Sequence, residues 1–216
     1  MKKSVLSLFF LFTVVFTSSG QLQVQDAVSY SSIQQIDSSD SYLIGTLIDK
    51  TNKMKYNFGL SYGRGFNSWT NVLIYNSKLN ETKKVFTTGP VLISTLVTSY
   101  LPANYPAQQE FRTSALLKKC IMFLVKSEDY NKNGVIDEED PFCLFISSKT
   151  GNTLTQITPK DMNVISWTLS KDNKTILVKI QKDKNADNKF LGDDELIYQI
   201  DLNDDFSKIK AYPINI

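Results

Sequence analysis

Apolar residues along this chain come in short, strand-sized runs separated by polar, turn-rich stretches, and no long segment repeats them at the spacing of a helix. The runs are rich in β-branched and aromatic members, as in Val72-Leu73-Ile74-Tyr75 and Cys120-Ile121-Met122-Phe123-Leu124-Val125, a composition that suits pleated, half-buried backbone. The pattern predicts an all-β chain of antiparallel strands. Grouped in fours, the strands are expected at 42–48, 56–62, 72–76 and 83–87; then at 91–98, 116–126, 142–147 and 154–158; and last at 164–169, 176–180, 196–200 and 209–213. Residues 21–40, rich in Gln, Ser and Asp, form a polar lead-in or a peripheral strand ahead of one domain at 41–216.

Self-similarity supports the grouping. At an offset of 71, Val72-Leu73-Ile74-Tyr75-Asn76-Ser77-Lys78 falls on Cys143-Leu144-Phe145-Ile146-Ser147-Ser148-Lys149, and Phe86-Thr87 on Ile157-Thr158. The middle group is lengthened by residues 99–114 between its first two strands. Long loops without structure of their own are often functional. Tyr100, Tyr105 and Phe111, stiffened by Pro102 and Pro106, make this insertion a candidate interaction loop or a flap folded over the sheets. Tyr62, Phe66, Trp69 and Tyr75 cluster around Gly63-Arg64-Gly65, either as a stacking platform or as core.

Four short antiparallel strands recurring about every 50 residues is the spacing of a propeller blade. The segment Leu154-Thr155-Gln156-Ile157-Thr158, then Val164-Ile165-Ser166-Trp167-Thr168-Leu169-Ser170-Lys171-Asp172-Asn173-Lys174, then Thr175-Ile176-Leu177-Val178 resembles the WD40-like blades of the TolB-type periplasmic β-propeller superfamily. Those blades show a Leu-Thr pair, a Trp-Ser-Pro-Asp-Gly-type turn and an apolar strand; this chain replaces the Pro and the Gly. The resemblance covers about residues 42–213, most clearly from 120 onward, with blades at about 42–88, 91–158 and 163–213. It implies a non-catalytic, protein-binding or structural module, sometimes with Asp-rich turns that hold cations. Three blades are fewer than a closed propeller needs. An open stack, a wider β-sandwich built from the same hairpins, or two chains completing one ring would each resolve the shortfall, and open edges favour self-association.

The chemistry concentrates in residues 129–140, Asp-Tyr-Asn-Lys-Asn-Gly-Val-Ile-Asp-Glu-Glu-Asp. Asp129, Asn131 and Asn133 stand at positions 1, 3 and 5 of a calcium loop, Gly134 at the sharp turn, Val135 offers its carbonyl at 7, and Asp137 and Asp140 stand at 9 and 12. Ile136 would pin the loop to a core. Asp140 is one methylene shorter than the usual Glu, with Glu139 the alternative, so the expected Kd is weak, on the order of 10⁻⁴ to 10⁻³ M. An acidic turn without metal is the competing reading. The apolar runs on both sides predict a loop that caps a β-hairpin, not one between two helices.

A second copy appears at an offset of 54. Asp183, Asn185 and Asp187 fall on Asp129, Asn131 and Asn133, Asn188 on Gly134, Phe190 on Ile136 and Asp194 on Asp140, with the following strands in step. Position 7 is Lys189, through its carbonyl; position 9 is Leu191, which has no side-chain oxygen; Glu195 could compensate. This loop is expected to bind metal poorly or to be a divergent solvated turn.

The chain opens Met1-Lys2-Lys3-Ser4, runs apolar to Phe16 and continues Thr17-Ser18-Ser19-Gly20, the order of a secretory signal peptide over residues 1–20. The apolar run is too short for an ordinary membrane span. Removing Lys2 and Lys3 takes the 24 basic residues to 22, against 22 acidic ones, so neither nucleic acid nor an anionic membrane surface is an expected partner. Symmetric pairing about the first loop would put Cys120 opposite a residue near 149, not opposite Cys143, so free thiols are expected. There is no histidine, which removes the commonest general base and the usual nucleophile pairs. A carboxylate pair is the remaining route to catalysis, and the acidic residues sit mostly in the two loops. The expected function is therefore that of a secreted or periplasmic, non-enzymatic calcium-binding protein with a structural ion and an unknown protein or glycan partner. An adaptor with incidental metal is the alternative; a carboxylate hydrolase comes last.

Overall fold

The computed structural model describes residues 28–37, 39–47, 69–89, 91–97, 115–137, 139–172, 174–202, 206 and 209–214. The expected signal peptide at 1–20, the expected strand at 56–62, Tyr62, Phe66 and the insertion with Tyr100, Tyr105 and Phe111 lie outside them. The described residues form antiparallel strands and no helix, so the chain is all-β. Among the described residues there are two sheets, one of nine strands and one of four.

Pairing divides the strands into three runs. In the first, β1 (Ser29–Tyr30) and β2 (Gln34–Gln35) both pair with β3 (Ser41–Leu47), which pairs with β4 (Trp69–Asn76), which pairs with β5 (Glu81–Lys84). The second is β6 (Leu92–Val97), β7 (Cys120–Lys126), β8 (Cys143–Ser148) and β9 (Leu154–Gln156). The third is β10 (Met162–Leu169), β11 (Thr175–Lys182), β12 (Glu195–Asp201) and β13 (Lys210–Pro213). A single bridge, Trp69 to Ile93, fuses the first two runs into the nine-stranded sheet.

Two expectations change here. The strand near 42–48 is the second of its run, not the first, because the Gln- and Ser-rich residues 29–35 supply a broken edge strand beside it. The offset between the first two runs is 72, not 71: the pairs Leu73–Lys84, Ile74–Lys83 and Tyr75–Thr82 are matched by Phe145–Gln156, Ile146–Thr155 and Ser147–Leu154. The difference matters, since a one-residue slip turns every side chain to the other face. The offset of 54 holds in register. Met122–Ile146 and Val125–Cys143 recur as Ile176–Ile200 and Lys179–Ile197. Cys120–Ser148 recurs as Lys174 and Leu202, joined by the Leu202 N–H on the Lys174 carbonyl.

Strand β7 is buried on both faces, as its unbroken apolar run requires. Ile121, Phe123 and Val125 join Leu43, Trp69, Val72, Ile74 and Ile93 in one core. Cys120 and Met122, with Leu144 and Ile146 of β8, join Val164, Ile176, Val178, Ile180 and Ile200 in the other. Trp69 is core and covers Gly45, where its ring fills the space a Cβ would take.

The register identifies which faces meet. Val72 and Ile74 of the first run correspond to Leu144 and Ile146 of the second, and they pack on the opposite face of that second run. Met122 and Ile146 correspond to Ile176 and Ile200 of the third run, and these corresponding faces pack on each other. A ring of blades stacks unlike faces throughout; like-on-like packing between the second and third runs is the arrangement of a sandwich. No closed ring is present among the described residues.

Cys120 pairs with Ser148 and Cys143 with Val125, so the two cysteines lie at opposite ends of the β7–β8 ladder as free, buried thiols. Burial pushes the Cys120 thiol up to about 12 and the Cys143 thiol up to about 11, leaving no reactive thiolate at neutral pH. A thiol reagent at neutral pH is expected to modify neither cysteine in the native protein and both in denaturant. Rapid labelling of the folded chain, or a disulfide in its mass, would contradict this register.

Candidate metal centre

Residues 129–137, 139 and 140 connect β7 to β8, and the apolar pairs of that hairpin hold the ends of the loop together. Two left-handed residues, Lys132 (φ 58°) and Gly134 (φ 91°), coil the chain back on itself; glycine takes the second at no steric cost. The coil turns backbone N–H groups onto the side-chain oxygens. Asp129 accepts from Asn133 (3.0 Å) and Gly134 (2.8 Å). Asn131 Oδ1 accepts from Asn133 N–H (3.0 Å), and Asn133 Oδ1 from Val135 N–H (2.9 Å). Asn133 Nδ2 donates to Asp137 Oδ2 (3.0 Å), while Asp137 Oδ1 takes the Glu139 N–H (2.9 Å). Ile136 is buried and anchors the loop.

Asp140 closes the loop from inside. Its Oδ1 accepts from Tyr130 N–H (2.8 Å) and at the long limit from Asn131 N–H (3.5 Å), and its Oδ2 accepts from Asp137 N–H (2.8 Å). The residue is only 2% exposed, and burial raises the pKa of its carboxyl above the ordinary 3.8 against the lowering effect of those N–H groups. The ammonium of Lys126, itself 4% exposed, donates to the carbonyls of Asp137 (2.8 Å) and Asp140 (2.6 Å) and lies 4.5 Å over the Phe142 ring. Beyond the loop, Phe142 N–H bonds Asn163 Oδ1 and Phe142 C=O receives Val164 N–H, both at 2.9 Å, tying the loop exit to β10.

The second loop repeats the first. Ala186 (φ 58°) and Asn188 (φ 62°) are left-handed at the positions of Lys132 and Gly134. Asn188 N–H bonds Asp183 Oδ2 (3.0 Å), Asp187 N–H bonds Asn185 Oδ1 (3.0 Å), and Lys189 N–H bonds Asp187 Oδ1 (2.9 Å). Phe190 is buried where Ile136 is buried. The closing step is different: Asp194 and Glu195 turn outward to Lys184 and Lys179, and Leu191 is 99% exposed. The structure thus brings Asp183, Asn185 and Asp187 together and leaves Asp194 and Glu195 away from them.

Like-on-like packing of the second and third runs sets the two loops side by side. The Tyr130 ring packs on Phe190 with centroids 5.2 Å apart, its hydroxyl donates to Asp183 Oδ2 (3.4 Å), and Lys189 stands 3.8 Å from Glu139. Burial, followed by the Asp183 charge, raises the pKa of the Tyr130 phenol. Asp183 Oδ1 is buried with no hydrogen-bond partner, an acceptor without a donor where most neighbouring polar atoms are bonded.

The donor set suits a hard cation. A carboxylate has about four lone-pair sites and an amide oxygen two; Asp129 uses two and Asn131 and Asn133 one each on backbone N–H. Asp140, with three N–H partners, has least to spare. No group of three or more His, Cys, Asp or Glu among the described residues is placed to hold a metal, so amide and carbonyl oxygens would have to complete any coordination shell. Sequence reasoning missed Lys126 and Tyr130 as participants. A lysine ending an otherwise apolar strand beside an acidic loop was the available signal for the first; nothing local marks the second, whose partners Asp183 and Phe190 belong to the other loop.

No known protein family, curated protein or solved structure matches the chain.

The raised pKa of Asp140 fixes the sign of a pH effect. A carboxyl whose folded pKa lies above its unfolded one contributes stability that is full below 3.8 and lost as pH rises through the folded value. In chelating buffer, the stability of the wild type relative to Asp140→Asn is expected to fall as pH is raised out of the acid range. Parallel urea-unfolding free energies at all pH values would show that this carboxyl does not titrate as described.

Proposed function

We propose that the chain is an exported, non-catalytic β protein of WD40-like blade repeats in which the first loop binds Ca²⁺ as a structural ion. The observation that carries this reading is the double occurrence, at an offset of 54, of one coil with Asp first, Asn third and Asn or Asp fifth, its oxygens set by the same backbone N–H bonds. Asp129, Asn131 and Asn133, the Val135 carbonyl and Asp137 would hold the ion, with Asp140 closing the loop around them. The second loop would bind more weakly through Asp183, Asn185, Asp187 and the Lys189 carbonyl. The partnerless Asp183 Oδ1 supports it as a cation ligand, while the outward Asp194 and Glu195 weaken it. The ion neutralises carboxylates that the fold draws together, so its binding energy adds to folding energy.

Calcium at about a hundred times Kd is expected to add ~2.7 kcal/mol, a rise of several degrees in Tm for a chain of this size. Asp129→Ala should remove most of that gain. Calorimetric titration of the metal-stripped protein gives the stoichiometry directly. A Tm indifferent to both calcium and chelator would end the proposal.

Self-association is a second reading, favoured by the outer face of the four-stranded sheet. Ile165, Leu177 and Tyr212 are exposed there, and β13 is an open edge among the described residues. Light scattering is expected to show dimer growth with concentration that Leu177→Lys suppresses; a monomer at high concentration would remove this reading.

A further inference from the structure

Asn133-Gly134 is the one place in the chain where asparagine precedes glycine, and it lies at an exposed turn. With no Cβ on Gly134, its backbone nitrogen is open to the neighbouring side-chain amide. The reaction available there needs only water and hydroxide. The Gly134 nitrogen gives up its proton and attacks Asn133 Cγ; the new C–N bond closes a five-membered imide as the Cγ–Nδ2 bond breaks and ammonia departs with a proton. Water then opens the imide at either carbonyl, leaving aspartate or isoaspartate.

The folded loop opposes each requirement. The attacking nitrogen is engaged: Gly134 N–H donates to Asp129 Oδ2 at 2.8 Å, and a carboxylate so close disfavours a second negative charge on that nitrogen. The side-chain amide is held at both ends, with Oδ1 accepting from Val135 N–H (2.9 Å) and Nδ2 donating to Asp137 Oδ2 (3.0 Å). Swinging Cγ onto the nitrogen breaks these bonds. We propose that Asn133 is a site of spontaneous deamidation that the folded loop keeps latched, with Asp129 holding the nucleophile and Asp137 the leaving amide.

The products differ in what they do to the loop. Aspartate at 133 reproduces Asp187, which occupies the same position of the second loop and accepts the same N–H bond, from Lys189 (2.9 Å). Isoaspartate adds a methylene to the backbone and takes the coil out of register. The inference does not depend on calcium.

The test is incubation of the full chain in mildly alkaline chelating buffer, with mass spectrometry of the proteolytic peptide that contains Asn133. Native wild type, urea-unfolded wild type, Asp129→Ala and Asp137→Ala are compared, with circular dichroism on each. The unfolded chain is expected to deamidate at Asn133 about tenfold or more faster than the native one, where tenfold is ~1.4 kcal/mol of barrier. Each folded variant should fall between them. Equal native and unfolded rates, or no mass gain at Asn133 in the unfolded chain, overturns the proposal. A folded Asp129→Ala that reacts more slowly than wild type overturns it too, since the carboxylate would then assist the attack. Should Asp129→Ala lose its fold, Asp137→Ala decides: a folded variant no faster than wild type refutes the latch.

Discussion

Everything in this molecule is referred to a strand with two buried faces. Ile121, Phe123 and Val125 of β7 point into one core and Cys120 and Met122 into the other, so one run of sequence fixes two sheet contacts at once. Burial of that kind is worth about 25 cal/mol per Å² of apolar surface. It also removes the freedom of β7 to slip, because a shift of one residue would exchange the contents of the two cores. The first loop grows from the end of this strand, where Lys126 is held in the same buried surroundings. A rigid base is what lets a short coil of polar residues keep its oxygens in place.

The choice of faces then decides where the loops lie. Corresponding faces of the second and third runs meet in one core, and the hairpin ends that carry the two coils come together. Tyr130 is the product of that proximity: its ring lies on the anchor residue of the other loop, and its hydroxyl reaches that loop's first carboxylate. Stacking of unlike faces, which relates the first and second runs, has no equivalent at this contact. Of the arrangements open to three four-stranded groups, like-on-like packing is seen only between the second and third runs, and it is this contact that packs the two polar coils on each other.

The strands from β7 onward are legible because each couples an apolar run to a turn, and the offset of 54 carries loop and flanking strands in one register. The first run defeats the same pattern for a physical reason. Gln34 and Gln35 make an edge strand whose stability comes from pairing with Leu43 and Tyr42, and an edge needs no apolar pattern of its own. The offset of 71 fails because Ile74 resembles Phe145 as much as it resembles Ile146; only pairing with Lys83 and Thr155 separates them. In the loops, the ligand-type residues and their spacing are plain. That Asp140 is spent on backbone N–H groups, and Asp194 and Glu195 on lysines, depends on which side chains are buried, and composition does not carry that.

The two coils present an internal comparison of how a carboxylate is accommodated. In the first, the closing Asp140 is taken out of water, a cost offset only in part by its N–H donors, while the Lys126 ammonium holds the adjoining carbonyls. At the residue in register with Lys126 the second coil's hairpin has Ile180, fully buried, so that position supplies no internal cation, and Asp194 remains in solvent with Lys184. Bringing Asp194 inward would cost desolvation and the ordering of a turn that now exposes Leu191. A cation entering the first coil meets oxygens already ordered, whereas one entering the second must also supply that work, and preorganisation of this kind is what separates sites of like composition in affinity. Under the calcium reading, therefore, the order of filling follows from burial at one position, not from the count of acidic residues.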